Sequence, residues 1–418
     1  MSSILIRNVR CNGSQQDVLV AGNKFERFDP PFSVAPPPEV RVLDGTGMAL
    51  VPPFFNAHTH HAMALLRGFA DDLPLHEWLN DHIWPAEARM TREHMLAGVR
   101  LAALEAIRSG SVFFNDMYFN WAFCAPAVEE MGLRAVVGDT LMSSTPRDAV
   151  RQSFERAGRP ATPSDRIRWS LAPHAVYTAD EALLRETAEV ARATGATVHI
   201  HVSETEREVR DCFAAHGCSP VEWLHRLGLL SPNLVAAHAV HLSDRDLELL
   251  ADSGAAVIHN PSSNMKLGSG AFPAAQVLAR SIPLLIGTDG PASNNSVDMH
   301  AEMRLAALLA KLPGDPAVLP APQALDCATA AAARVFGIDS GVLAPGHLAD
   351  ALVVDLSDPR LVPDSDFVSN WVYAADNASI VHVLCDGRLL MENHVVPHQA
   401  EILEDARLAA RELLAKRG

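Results

Sequence analysis

The stretch Phe54-Phe55-Asn56-Ala57-His58-Thr59-His60-His61 follows directly on the apolar run Met48-Ala49-Leu50-Val51. Side chains alternate faces along a β-strand, so His58 and His60 point one way and Thr59 the other. Two imidazoles on one face at the end of a buried strand are placed to share one divalent metal ion. A chain with 19 histidines also produces a His-x-His by chance. The metal reading therefore depends on ligands from elsewhere in the chain.

Other apolar runs end in suitable residues. One closes on Ala172-Pro173-His174, another on His199-Ile200-His201-Val202-Ser203-Glu204, a third on Ala236-Ala237-His238 and the last on Gly287-Thr288-Asp289-Gly290. With the first pair, His or Asp closes five of eight strand-like runs, more than chance supplies. Neutral imidazoles, one carboxylate and an open position for water are what a mononuclear hydrolytic metal requires. His58, His60 and His201, with Asp289 as the fourth, form the expected ligand set. His199 competes for the third place, but His201 lies nearer the strand end. His238 and His174 suit a ligand, a supporting or a substrate-contacting role, or a hydrogen-bonded structural one. His61, His76, His82 and His94 read as solvated. The position of Ala172-Pro173-His174 carries no lysine that could bridge a second ion, so one metal is the simpler expectation.

Glu204 follows His201 by three residues, where strand gives way to loop. A partly desolvated carboxyl leaning over the site would have its pKa raised towards neutrality and could shuttle protons. Glu204, Glu206 and Glu208 after Ser203 equally suit a helix N-terminus.

The elements that must position these groups alternate. Apolar runs at 49–55, 111–115, 135–138, 167–171, 197–202, 234–237, 255–260 and 284–287 are interleaved with amphipathic stretches such as Glu93 to Ser109, Asp180 to Thr194 and Asp244 to Ser253. Eight such units predict a (β/α)₈ TIM-type barrel, whose reactive groups gather at the C-terminal ends of its strands. A doubly wound open sheet is the competitor, but no Gly-x-Gly-x-x-Gly opens any helix. Residues 1–50 and 345–418 read as short strands with a terminal helix from Gln399 to Lys416. They are expected to meet as a small β-sandwich domain beside a barrel of residues 51–344. The segment from Pro30 to Pro38 reads as loop.

The 418 residues are 48% hydrophobic and 20% charged, as in ordinary globular proteins. A formal charge of −16 argues against a nucleic-acid partner or an anionic membrane surface. No charged n-region with a long apolar core opens the chain, and no window of about 18 uncharged apolar residues occurs. The cysteines at 11, 124, 212, 218, 327 and 385 form no Cys-x-x-Cys, so a reduced, cytoplasmic protein is expected.

Several stretches resemble the amidohydrolase superfamily, in its mononuclear aminohydrolase branch. Asn56-Ala57-His58-Thr59-His60, His201-Val202-Ser203-Glu204-Thr205 and Gly287-Thr288-Asp289-Gly290 are similar to elements shared across that branch. Leu66-Arg67-Gly68-Phe69-Ala70-Asp71-Asp72-Leu73-Pro74-Leu75, Ile83-Trp84-Pro85-Ala86-Glu87 and Asn260-Pro261-Ser262-Ser263-Asn264-Met265-Lys266-Leu267 resemble the 5′-methylthioadenosine/S-adenosylhomocysteine deaminases more narrowly. The resemblance implies hydrolytic deamination of an adenosine-type nucleoside. It assigns Glu87 to the ribose hydroxyls, His174 to the substrate site and Glu204 to proton transfer with ring N1. Asp289 would take the proton of the attacking water, and His238 would orient that water. It favours Zn²⁺, although Fe²⁺ suits the same donors.

Where family members often carry an arginine after strand three, this chain reads Gly138-Asp139-Thr140, and Arg147 falls near a second family arginine position that contacts substrate. A free base, pterin or triazine substrate is the alternative, in which Glu87 would be dispensable. A barrel kept only as a scaffold is a remote one, since every ligand position is filled. The expected partner is a small nucleoside or heterocycle, and a homo-oligomer would be ordinary for such an enzyme.

Overall fold

Pro52 and Pro53 divide the first apolar run in two. Proline has no N–H to donate to a strand ladder, so a pair of them ends one strand and lets the chain leave for another sheet. Met48–Val51 pairs antiparallel with Ala351–Asp355, whereas Phe54–Thr59 begins the barrel. The single strand expected over 49–55 is thus two strands in different sheets. This computed structural model describes residues 3–33, 35–36 and 39–415. Pro37 and Pro38 of the expected loop, and Lys416 of the expected terminal helix, lie outside the described residues.

The barrel strands are β1 (Phe54–Thr59), β2 (Ser111–Tyr118), β3 (Arg134–Leu141), β4 in two pieces (Ile167–Trp169 and Ala172–Pro173), β5 (Val198–Val202), β6 (Leu234–His238), β7 (Ala256–His259) and β8 (Leu284–Ile286). They run parallel as two four-strand arcs, β1 to β4 and β5 to β8. Two seams close the ring. Thr59 bridges Asp289 between β1 and β8, and Leu171–Val198 with Ala175–His201 bridge β4 and β5. Every residue of β1, β2, β5, β6, β7 and β8 is buried, as helices cover the outside and side chains fill the interior. The covering helices start where the sequence offers caps. Thr91, Asp180, Thr205 and Ser243 each accept a hydrogen bond from the backbone N–H three residues on.

Both chain ends build one eight-stranded sheet. Ile4–Cys11 is central, pairing with Ser14–Ala21 on one side and with Arg41–Asp44 and Met48–Val51 on the other. Ala351–Asp355, Ile380–Cys385 and Arg388–Met391 extend it from the C-terminal side. Ile6, Val18, Val20, Phe25, Leu50 and Val353 pack on its buried face. Lys24–Asp29 is a strand that the sequence reading missed. Four of its six residues are charged, as suits an edge strand with Lys24, Glu26 and Arg27 facing solvent. Arg134 at the start of β3 donates to Asp350 at 3.3 Å and to Asp386 at 2.6 Å, tying the barrel floor to this sheet. Among the described residues no helix is long and apolar enough to cross a membrane.

Candidate metal centre and substrate cavity

The strand ends at the C-terminal mouth of the barrel converge on Asp289. His58 Nε2 lies 3.1 Å and His60 Nε2 3.2 Å from Asp289 Oδ1, and His201 Nε2 lies 3.3 Å from His60 Nε2. Donor atoms of His58, His201, His238 and Asp289 all fall within 4.8 Å of one another. The four residues expected as ligands therefore meet, and His238 joins them. The chain turns sharply to deliver them: Ser203, His238 and Asp289 take φ of 51°, 73° and 61°. Left-handed backbone at such residues costs on the order of 1–3 kcal/mol each and persists where surrounding contacts enforce it. Gly287 lets β8 approach β1, since a Cβ there would stand 2.8 Å from the His58 backbone nitrogen.

Each imidazole is held by its rear nitrogen. His60 Nδ1 is 2.6 Å from the Met117 carbonyl, His201 Nδ1 is 2.7 Å from the His174 carbonyl, and His238 Nδ1 is 2.8 Å from Asn264 Oδ1. Carbonyl oxygens only accept, so these Nδ1 atoms carry protons and each Nε2 is left facing inward, where it can take a cation or a proton. His58 Nδ1 is 2.7 Å from His199 Nε2, which places His199 behind His58 and outside the ligand set.

Inward lone pairs on His60 and His201 only 3.3 Å apart repel unless a positive charge lies between them. The same demand shows in His60 itself. Burial opposes its imidazolium, but the hydrogen bond and charge of Asp289 raise it to about 9. Burial would raise the Asp289 carboxyl, yet His58 and His60 hold it well below its ordinary value. Its Oδ2 accepts from Ser263 Oγ at 2.6 Å and Ser293 Oγ at 2.9 Å, and its Oδ1 from Gly290 N at 2.7 Å. Three histidines and a carboxylate with these tautomers fit one divalent cation.

A narrow cavity opens above Asp289 and is lined by Glu204, His238, His201, His174, Glu87 and Tyr118, with Trp78, Trp84 and Tyr177 among its apolar walls. Glu204 is buried, its Oε2 is 3.8 Å from His238 Nε2, and its Oε1 accepts from Ser269 Oγ at 3.3 Å. Burial raises its carboxyl above the ordinary value. The helix that follows starts at Glu206 with Thr205 as its cap, so Glu204 stays in the turn. Glu208 fixes that turn, accepting from Ser203 N at 2.9 Å and Glu204 N at 2.8 Å. Glu87 is held by Tyr118, whose hydroxyl donates to Oε1 at 2.6 Å. Burial pushes the Glu87 carboxyl up to about 7. His174 is neutral, pushed down to about 3 by burial, and its Nδ1 is 3.0 Å from Thr178 Oγ1.

Three expectations, for Arg147, His61 and His94, come out differently, and Asp139 takes a place that the sequence left open. Arg147 does not line this cavity: it starts a surface helix, pairs with Glu186 at 2.8 Å and is 69% exposed. Asp139 faces away because side chains alternate on β3. It accepts from Trp121 N at 3.1 Å and pairs with Arg156 at 3.4 Å, while Thr140 faces the cavity. His61 is fully buried against the Phe114 ring, with its backbone N–H donating to Asp116 Oδ2 at 2.7 Å. His94 is buried as the third residue of a capping box with Thr91. The sequence reading also missed the supports. Ser263 and Asn264 lie in the stretch singled out for its resemblance, which gave them no role, Glu208 was read only as part of a helix N-terminus, and Ser293 and Tyr118 carry no local signal.

A closed eight-stranded α/β barrel with a His₃Asp metal site at its C-terminal mouth defines a metal-assisted hydrolase. The amidohydrolase family model matches residues 49–390, and the chain belongs to that family. It is 46% identical to a 5′-deoxyadenosine deaminase of Methanothermobacter thermautotrophicus over 95% of this chain and 94% of that one. It is 42% identical to a 5-methylthioadenosine/S-adenosylhomocysteine deaminase of Syntrophomonas wolfei, over 90% of this chain and 89% of the relative. Among solved structures, an adenosine deaminase from Xanthomonas campestris with bound zinc superposes with a TM-score of 0.91 at 32% identity, covering 99% of this chain and 98% of that one.

Proposed function

We propose that this chain hydrolyses the exocyclic amino group of adenosine-type nucleosides, giving the inosine analogue and ammonia. One observation carries the reading: a single cavity has Glu87 near its outer end and Glu204 with Asp289 at its inner end. A carboxylate gripped by Tyr118 is suited to the paired hydroxyls of a ribose. The names of the relatives support the same substrate class.

His58, His60, His201 and Asp289 would hold the ion, with His238 beside them. Zinc is the ion we assign, as bound in the Xanthomonas structure, and ferrous iron is the other outcome of a metal analysis. A bound divalent ion lowers the pKa of water from about 15.7 towards roughly 7. Asp289 accepts the proton of the attacking water while Ser263 and Ser293 keep its Oδ2 fixed. Glu204, its carboxyl raised by burial, gives a proton to ring N1 as the water oxygen bonds to C6. As the C6–N bond breaks, the C6 hydroxyl becomes the carbonyl and returns a proton to Glu204, while the amino group leaves as ammonia with the proton that Asp289 took from the water. His238 Nε2 orients the water and steadies charge on its oxygen. His174, neutral, borders the bound base without competing for the proton. Each proton transfer by a positioned group contributes ~10²- to 10⁴-fold. In this reading residues 51–344 are the catalytic unit, and 1–50 with 345–418 form its companion.

The test is ammonia release from 5′-deoxyadenosine, 5′-methylthioadenosine, adenosine, guanine, cytosine and a pterin. Release from the adenosines is expected. Silence on every adenosine would overturn the reading, and turnover of the free bases alone would move it to a heterocycle hydrolase.

A further inference from the structure

Asp289 and His238 are steadied by side chains on two loops. Ser263 and Asn264 lie on the loop after β7, and Ser293 lies on the loop after β8. Both loops are in turn tied to one buried carboxylate. Glu302 stands in the first turn of the helix Met299–Leu309 and is 1% exposed. Its Oε2 accepts from Ser262 N at 3.0 Å, and its Oε1 accepts from Ser262 Oγ and from Asn294 Nδ2 at 2.9 Å. The Asn294 amide also donates to the Thr288 carbonyl at 2.7 Å, one residue before Asp289. Ser262 and Asn294 are the chain neighbours of Ser263 and Ser293, the two hydroxyls on Asp289 Oδ2. The site is therefore built in two tiers. Ser263 and Ser293 grip Asp289, and Glu302 behind them grips Ser262 and Asn294.

Stability alone does not call for a carboxylate at this position. Burial opposes its charge and pushes the carboxyl up to about 7, and the negative charge of Asp298 acts in the same direction. Its hydrogen-bond partners are serine and asparagine donors rather than a cation. A buried charge without a cation is costly, and apolar side chains of similar volume often serve buried positions as well or better. What the carboxylate supplies is a set of acceptors that reaches both loops at once.

We infer that Glu302 is a positioning residue for the hydrolytic step, fixing the β7 and β8 loops in the arrangement that keeps both serines on Asp289 and Asn264 on His238. The inference rests on the deaminase reading above. Glu302 acts through the groups that handle the attacking water, and it does not line the cavity that holds Glu87. Its loss should therefore appear in kcat and leave KM little changed.

The test compares Glu302→Met and Met303→Ala with the wild type on 5′-deoxyadenosine, with zinc in excess and with Tm and metal content measured on each. Methionine fills the space of Glu302 and keeps none of its acceptors. Met303→Ala, one position further on, removes core packing from the same helix and no acceptor. The expected result for Glu302→Met is a kcat lower by ~10- to 100-fold with KM within about twofold. Met303→Ala should lower Tm and leave kcat near wild type. A metal-loaded Glu302→Met enzyme with kcat within about fivefold of wild type would overturn the proposal. So would an equal kcat loss in Met303→Ala, or a rise in KM as large as the fall in kcat. Should Glu302→Met fail to fold, Glu302→Gln and Ser262→Ala are measured singly and together. Their kcat losses should then fall short of multiplying, because both cut the same tie; losses that multiply fully overturn it. A wild type silent on every adenosine would sink the deaminase reading instead, and the same comparison on whichever heterocycle it hydrolyses would still decide the role of Glu302.

Discussion

The two ends of the cavity are built on different principles. At the inner end the groups project from strand termini, and nearly every polar atom has a fixed partner: His60 on the Met117 carbonyl, His201 on the His174 carbonyl, His238 on Asn264, Asp289 on two serines. At the outer end Glu87 comes from a short helix in the long connection between β1 and β2, and one phenol holds it. Strand ends locked by neighbouring strands give the precision that proton transfer needs. Loops carried by the barrel give freedom to change what is bound. The contrast teaches that chemistry and choice of substrate are separable in this fold.

Substitutions should break the two ends differently. The largest effect is expected from Asp289→Asn, which removes a metal-binding oxygen and the proton acceptor together. Turnover should fall by about 10⁴-fold, with metal content falling in the same preparation when measured by plasma emission. Next comes Asn264→Ala, which frees the rear nitrogen of His238. Losing such a support typically costs ~10- to 100-fold in activity or metal affinity, and the loss should lie in kcat while KM stays close to wild type.

Glu87→Gln should act at the other end. Glu87 ionises at about 7, and only the carboxylate accepts strongly from two ribose hydroxyls. KM for 5′-deoxyadenosine should therefore fall as pH rises through about 7 in the wild type, and the Gln variant should show a flat KM raised about tenfold at pH 8. A KM profile that keeps its inflection in the variant would move the titration elsewhere. The smallest effect is expected from Arg147→Ala. An exposed ion pair with Glu186 is worth at most about 1 kcal/mol, so kcat/KM should stay within about twofold.

What was legible in the sequence follows the same division. The positions of His58, His60, His201 and Asp289 could be read because strand alternation is strictly local and barrel chemistry gathers at strand ends. The alternation of strands and helices pointed to the barrel for the same reason. Arg147 was misplaced, and the side on which Asp139 falls was not legible, because the path of a loop, and which face a residue at its edge takes, depend on packing that no local period encodes. Asp139 falls on the outward face of β3, one residue before the Thr140 that borders the cavity. The partners of Asp289 were hidden too, since Ser263 reaches it from 26 positions earlier in the chain. Lys24–Asp29 went unread because an edge strand needs no apolar run.

The central claim is that Glu204 moves the proton that activates the ring, while the ion and the ribose contact are independent of it. The most direct test is Glu204→Gln, assayed for kcat, KM and metal content on 5′-deoxyadenosine beside the wild type. The account predicts metal content near wild type, a KM little changed, and kcat lower by ~10²- to 10⁴-fold. A Gln variant that turns over at the wild-type rate with its metal in place would contradict it.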